Sequence, residues 1–158
     1  MSTRLSAALL TLALTASVTG LASAQTTRSH LGPHVGYNFD IDKFGVGAQV
    51  SVPVASHLEF YPSFDYWLVD AGSLWAVNAD LKYRLTGAGW NWLYVGSGLN
   101  ITTAGGGGAS SSQTGLNLFA GIESLRGSVH PYAEFRAVVG KGSTTQVAAG
   151  LNFTLGRH

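Results

Sequence analysis

The chain has 158 residues, with nine Lys and Arg against eight Asp and Glu, a formal net charge of +1 and no cysteine. This length fits one domain, the lack of cysteine excludes a disulfide framework and a thiolate metal site, and the near-zero charge argues against nucleic acid as a partner. Charged residues make up only 11% of the sequence, about half the usual share for a soluble domain, which favours an apolar environment.

The N-terminal segment has the features of a secretory leader. Arg4 precedes an apolar run from Leu5 to Leu21, and the run closes on Ala22-Ser23-Ala24 before Gln25. A positive start, an apolar stretch and a small-x-small site predict a signal peptide over 1–24 and a mature domain over 25–158, neutral once Arg4 is removed. The alternative is an uncleaved membrane anchor, for which the apolar run is short.

The first half of the mature chain alternates apolar with small or polar residues at period two. No helical period persists, so these segments are predicted to be β-strands. The predicted strands lie at 31–39, 44–52, 58–66 and 75–85. Pro62 stands in the middle of the third strand and predicts a local bulge there, because proline cannot donate to a strand ladder.

The second half continues the same alternation over 93–101, 116–123, 131–139 and 146–155, which brings the count to eight. Between the fifth and sixth strands, the Gly- and Ser-rich stretch from Thr102 to Thr114 predicts a flexible loop. Segments of about 9–11 residues suit strands that cross a hydrocarbon layer at a tilt.

The charged residues follow the same alternation. Every charged residue inside a predicted strand falls on the polar side of its strand: Glu59, Asp65, Asp80, Lys82, Arg84, Glu123, Glu134 and Arg136. A charge on a lipid-facing side costs up to about 2–4 kcal/mol near the bilayer midplane, so this regularity favours a transmembrane barrel.

Alternation by itself fits a soluble lipocalin-type barrel equally well, with the faces exchanged. A soluble barrel would carry more Lys and Glu outside. The apolar side instead places aromatic residues near both strand ends, as interfacial girdles require. These are Tyr37, Phe39, Phe44, Tyr66 and Trp75 at one rim, and Tyr83, Trp90 and Trp92 at the other. We therefore predict an all-β, closed, antiparallel up-and-down transmembrane β-barrel of about eight strands.

The leader, the two-residue repeats and the last strand from Val147 to Leu155 resemble the small eight-stranded outer-membrane proteins of the OmpA/OmpX type. The resemblance implies a bacterial outer-membrane location, both termini in the periplasm and insertion by the barrel-assembly machinery. It also implies extracellular loops at 40–43, 68–73, 102–114 and 140–143. In that family the chain usually ends on an aromatic residue, whereas Gly156, Arg157 and His158 follow Leu155 here.

The eight inward charges are the candidate site. Strand pairing predicts Glu59 near Lys82 and Arg84, and Glu123 and Glu134 near Arg136, as a structural ion-pair plug or a gate for small ions. No cofactor, metal or catalytic residue is predicted. The histidines, expected at the periplasmic end or a terminus, match no ligand spacing, and Ser128 near His130 reads as a turn residue.

Two function classes follow. The first is a non-enzymatic outer-membrane barrel that supports envelope integrity or surface interaction, a monomer surrounded by outer-membrane lipid. The alternative is a soluble periplasmic barrel that binds a small apolar ligand, and a more distant third is a lipid-modifying barrel enzyme.

Overall fold

The computed structural model describes residues 28–87 and 89–156 and places eight strands in them. They are β1 (His30–Asn38), β2 (Lys43–Ala55), β3 (Leu58–Trp67), β4 (Ser73–Arg84), β5 (Leu93–Gly106), β6 (Ala109–Glu123), β7 (Val129–Gly140) and β8 (Thr144–Thr154). The predicted leader over 1–24 and the mature start at Gln25 lie outside the described residues. Within those residues, no helix has the length and apolarity to cross a membrane.

Each strand pairs antiparallel with the next along the chain, and β8 pairs with β1, so the sheet is a closed barrel. Closure leaves no strand with an unpaired edge. At the closing pair, Val35 of β1, for example, lies opposite Ala149 of β8. The predicted fold class, a closed up-and-down barrel of eight strands, is confirmed. We call the end with the β2–β3, β4–β5 and β6–β7 turns the terminal end, and the opposite end the hairpin end.

Side chains alternate between a polar interior and an apolar exterior along every strand. Charged and amide side chains point inward, and large apolar side chains point outward. Val35 is 60% exposed, Phe44 66% and Leu99 59%. A strand places successive side chains on opposite faces, so the two-residue repeat of the sequence becomes an inside–outside division.

The predicted loop from Thr102 to Thr114 is wrong. These residues extend β5 and β6 into a long hairpin, with Thr102 opposite Gln113 and Gly106 opposite Ala109. Only Gly107 and Gly108 form the turn, and both have positive φ, at 61° and 84°. A two-residue hairpin turn needs positive φ at both positions, which glycine alone adopts without strain, so the Gly-rich composition makes a tight turn here.

The bulge predicted at Pro62 is also wrong. Pro62 pairs with Ala79 in an unbroken β3–β4 ladder. On the other side, β2–β3 pairing runs to Gln49↔Ser63 and resumes at Val52↔Phe60, while the irregularity lies at Pro53 to Ala55. Proline lacks an N–H, so the missing donor is accommodated by a local interruption of pairing with β2.

Candidate functional site

The barrel interior collects the eight inward charges that the sequence singles out. Their exposed fractions run from 0% for Asp80 to 9% for Glu59 and Arg84. Buried charges require partners and hydrogen bonds, because an isolated ion in a poorly hydrated space is very costly. The interior supplies those partners in two groups.

The terminal cluster comprises Glu59, Lys82, Arg84 and Glu123, near the terminal end. Lys82 Nζ lies 2.8 Å from Glu59 and 3.1 Å from Glu123. Arg84 Nη2 lies 2.9 Å from each of the same two carboxylates. Two cations thus share two acids, and the cluster is neutral.

The central cluster comprises Asp65, Asp80, Glu134 and Arg136, with His34. Arg136 contacts Asp80 at 2.8 Å and Glu134 at 2.9 Å. Its guanidinium carbon also lies 4.7 Å from the centre of the Phe119 ring. Three acids face one arginine, so with all three acids ionised the cluster has two negative charges in excess, and a further cation would offset one of them.

Hydrogen-bond directions identify that cation as His34. The Glu123 carboxylate accepts from the Asn152 amide at 2.8 Å, and Asn152 in turn accepts from Gln49 Nε2 at 2.6 Å. The remaining Gln49 oxygen can then only accept, and it lies 2.5 Å from His34 Nδ1. Because His34 Nε2 lies 2.7 Å from Asp65, both ring nitrogens face acceptors, and the His34–Asp65 pair holds the extra proton.

Asparagine amides connect Asp65 to the rest of the central cluster. Asn78 donates to Asp65 at 2.7 Å and accepts from Asn117 at 2.9 Å. Asn117 also donates to Asp80 at 2.7 Å, and Glu134 accepts from the Tyr94 hydroxyl at 3.0 Å. The two clusters therefore belong to one hydrogen-bonded network that runs along the lumen.

Aromatic rings and glycines fill the remaining interior. Tyr61, Tyr94 and Phe119 form a buried cluster, and Lys82 Nζ lies 4.6 Å and 4.9 Å from the two tyrosine rings. A Cβ at Gly96 would overlap the Phe119 ring, and one at Gly121 would overlap Tyr94. Bare backbone opposite each ring therefore makes room for it, as an eight-stranded interior requires.

The structure brings together Glu59, Lys82 and Arg84 as the strand order predicts, but the partners of Glu123 differ from the predicted one. Glu123 contacts Lys82 and Arg84 across the lumen and not Arg136. The tilt of barrel strands brings non-neighbouring strands together inside, which pairing along the sheet does not reveal. His34 likewise lies in the central cluster and not at the predicted periplasmic end. The sequence offered one signal for this position, because His34 lies on the same inward-facing side of its strand as Gly32 and Gly36.

The other described histidines lie near the terminal end. The centres of the His30 and His130 rings are 4.7 Å apart. His130 Nε2 lies 2.9 Å from the carbonyl oxygen of Gly127, and this contact does not involve Ser128. His57 occupies the β2–β3 turn, and His158 is not described. Within the described chain, no three acidic or histidine side chains are placed to hold a metal ion.

The interior leaves little free space beside the central cluster. The cavity between the central cluster and Tyr61 measures about 10 Å³, which is room for about one water molecule. Amide groups hold the network together at Asn152, Gln49, Asn78 and Asn117, and an amide does not take up and release protons near neutral pH. Chemically, the network can pair the buried charges and link strands across the interior.

Comparison with known proteins identifies solved structures of the same fold, but no matching family model and no matching curated protein. Among solved structures, the N-terminal β-barrel domain of Pseudomonas aeruginosa OprF superimposes with a TM-score of 0.65 at 14% identity, covering 80% of this chain and 96% of that one. Neisserial surface protein A gives 0.54 at 12% identity, covering 81% and 95%.

The attachment invasion locus protein Ail of Yersinia pestis gives a TM-score of 0.53 at 13% identity, covering 83% of this chain and all of that one. The barrel thus has the fold of small eight-stranded outer-membrane proteins, as the sequence resemblance predicted.

Proposed function

We propose that this chain is a non-enzymatic bacterial outer-membrane β-barrel protein, exported with a cleaved leader, whose lumen is closed by its own ion-pair network. The observation that carries the proposal is the division of the strands into an apolar exterior and a charged interior. Leu81 is 48% exposed while the next residue, Lys82, is 1% exposed. A protein surrounded by water places charged side chains outside and apolar ones inside, whereas a protein surrounded by lipid requires the arrangement seen here.

The soluble alternative fits less well. A soluble protein seldom exposes a contiguous apolar patch above a few hundred Å², yet here large apolar side chains cover the outer wall on all eight strands. A lipocalin-like carrier also needs an interior chamber for its ligand, and the cavity beside the central cluster measures about 10 Å³. The centre of the lumen therefore has no room for an apolar ligand, and the cavity at the hairpin end, about 230 Å³, is smaller than the roughly 300–1,000 Å³ of usual ligand pockets.

A structural role in the envelope accords best with a rigid, filled barrel. We infer a monomer held in outer-membrane lipid, inserted by the barrel-assembly machinery acting on β8. Surface interaction is the second candidate, favoured by the β5–β6 hairpin. Because β6 pairs with β7 only from Gly115 onward, residues 109–114 project past β7 at the hairpin end.

Spin labels on β6 test the inside–outside assignment. The chain has no cysteine, so single cysteines at Leu116, Asn117, Leu118, Phe119 and Ala120 can be labelled without background. In refolded vesicles, we expect collisions with oxygen, which concentrates in lipid, to be high at 116, 118 and 120 and low at 117 and 119.

Membrane fractionation and heat-modifiable gel migration of the exported chain supply the control for folding. Export followed by recovery in the soluble periplasmic fraction would contradict the membrane proposal. Uniform oxygen exposure along β6 would contradict the assignment of its two faces.

A further inference from the structure

Two adjoining cavities lie on the outer wall, one at the terminal end and the other running from there toward the hairpin end. The first, of about 700 Å³, is bordered on its polar side by Asn91, Trp92, Glu123, Ser124 and Arg126. The second, of about 610 Å³, is almost wholly apolar. Both are lined by Ile122 and Ala133, so they are continuous. Together they form a depression with a polar head and an apolar tail.

The apolar part follows one row of paired residues across five strands. Leu93 lies opposite Ile122, Ile122 opposite Ala133, Ala133 opposite Ala149, and Ala149 opposite Val35. Four strand spacings of about 4.8 Å give a length of about 19 Å. One leaflet of a hydrocarbon core about 30 Å thick is about 15 Å deep, so the row is long enough for an acyl chain.

Charge is distributed unequally between the two ends of the barrel. The acids outside the lumen, Asp40, Asp42 and Asp70, all lie at the hairpin end. Arg126 lies in the β6–β7 turn and Arg28 just before β1, both at the terminal end. Among the described residues, Arg126 makes no salt bridge. The polar head of the depression therefore carries a cation that is unpaired in the described part of the chain, and the one acid that lines it, Glu123, is 1% exposed and paired with Lys82 and Arg84.

We propose that this depression binds one phospholipid of the surrounding membrane. Its phosphate lies against the Arg126 guanidinium, with the Asn91 amide and the Ser124 hydroxyl as further donors, and one acyl chain follows the apolar row. Arginine suits a phosphate because its planar fork of N–H groups matches two oxygens at once. Trp92, stacked on Trp90 at 6.1 Å, stands at the headgroup level where tryptophan is favoured.

Native mass spectrometry of the exported, folded barrel with phosphatidylglycerol tests the site, which rests on the proposed membrane location. We expect one retained lipid on the wild type. Arg126→Gln should weaken retention about tenfold, as loss of a charge-assisted hydrogen bond predicts, and Arg126→Lys should weaken it less. Ala133→Phe, which fills the apolar row, should also release the lipid.

Matched controls are Lys141→Gln, an exposed cation at the hairpin end, and Ala79→Phe, an outward alanine on β4. Both should retain lipid as the wild type does. Equal losses in control and site variants, or displacement of the lipid by inorganic phosphate, would overturn the site. Heat-modifiable folding in vesicles is scored first: its failure refutes the membrane proposal, whereas a folded barrel that retains no lipid refutes the site.

Discussion

The terminal cluster and the central cluster lie in one lumen but neutralise their acids differently. In the terminal cluster, Lys82 and Arg84 each contact both Glu59 and Glu123, so every acid has two cations. In the central cluster, Asp65, Asp80 and Glu134 depend on Arg136, His34 and a set of amides. Duplicate contacts therefore predict that the terminal cluster tolerates substitution, whereas single contacts predict that the central cluster is vulnerable.

Arg136→Ala should have the largest effect on stability. It leaves Asp80 and Glu134 without their arginine in a closed interior, and removing one partner of a buried ion pair costs about 3–5 kcal/mol. We expect the urea midpoint of unfolding, followed by gel migration in vesicles, to fall sharply. Arg136→Lys, which keeps the charge, should recover part of the loss. A wild-type midpoint for Arg136→Ala would contradict the assigned pairing.

His34→Leu should rank second. Asp65 then keeps its hydrogen bond from Asn78 but loses its charged partner, and Gln49 loses the ring donor. Hydrogen bonds to charged groups contribute about 1.5–3 kcal/mol, and the free energy of unfolding should fall by about that amount.

Nitrogen NMR of the wild-type imidazole provides an independent check on His34. We expect both ring nitrogens to carry protons at neutral pH, because each faces an oxygen acceptor. A spectrum of a neutral ring with one bare nitrogen would rule out His34 as the fourth lumen cation.

Arg84→Ala should have the smallest effect of the three. Lys82 still contacts both acids of the terminal cluster, so neither becomes an unpaired charge. The expected loss is about 1.5 kcal/mol, the low end for hydrogen bonds to charged groups, because Lys82 still offsets the two carboxylates. The double variant Arg84→Ala with Lys82→Met should lose far more than the sum of the single changes. Strict additivity would show that the two cations do not substitute for one another.

The sequence predicted which side chains enter the lumen but not which of them meet. The direction of a side chain follows from its position in its own strand, so Lys82 and Glu123 could each be assigned to the interior from the sequence. Their contact depends on strand tilt and on how far β4 and β6 approach across the interior, which are properties of the closed barrel. His34 shows the same limit, because its role depends on Gln49 and Asp65 from two other strands.

The β5–β6 hairpin marks the other limit. Its Ser and Gly content resembles that of a flexible linker, and composition does not distinguish a linker from two paired strands. The decisive feature was the position of Gly107 and Gly108 midway between matching Thr and Ser positions. Thr103 Oγ1 lies 2.8 Å from Ser112 Oγ across that pair of strands.

Conductance in planar bilayers tests the closed lumen most directly. The purified wild-type barrel should conduct little or no current, because its two clusters occupy the interior from the terminal end to the centre. Arg136→Ala, which leaves two central acids unpaired, should open measurable cation-selective current, and Arg84→Ala should change it little. Large, stable, ohmic channels in the wild type would contradict a closed lumen, as would identical conductance in all three proteins.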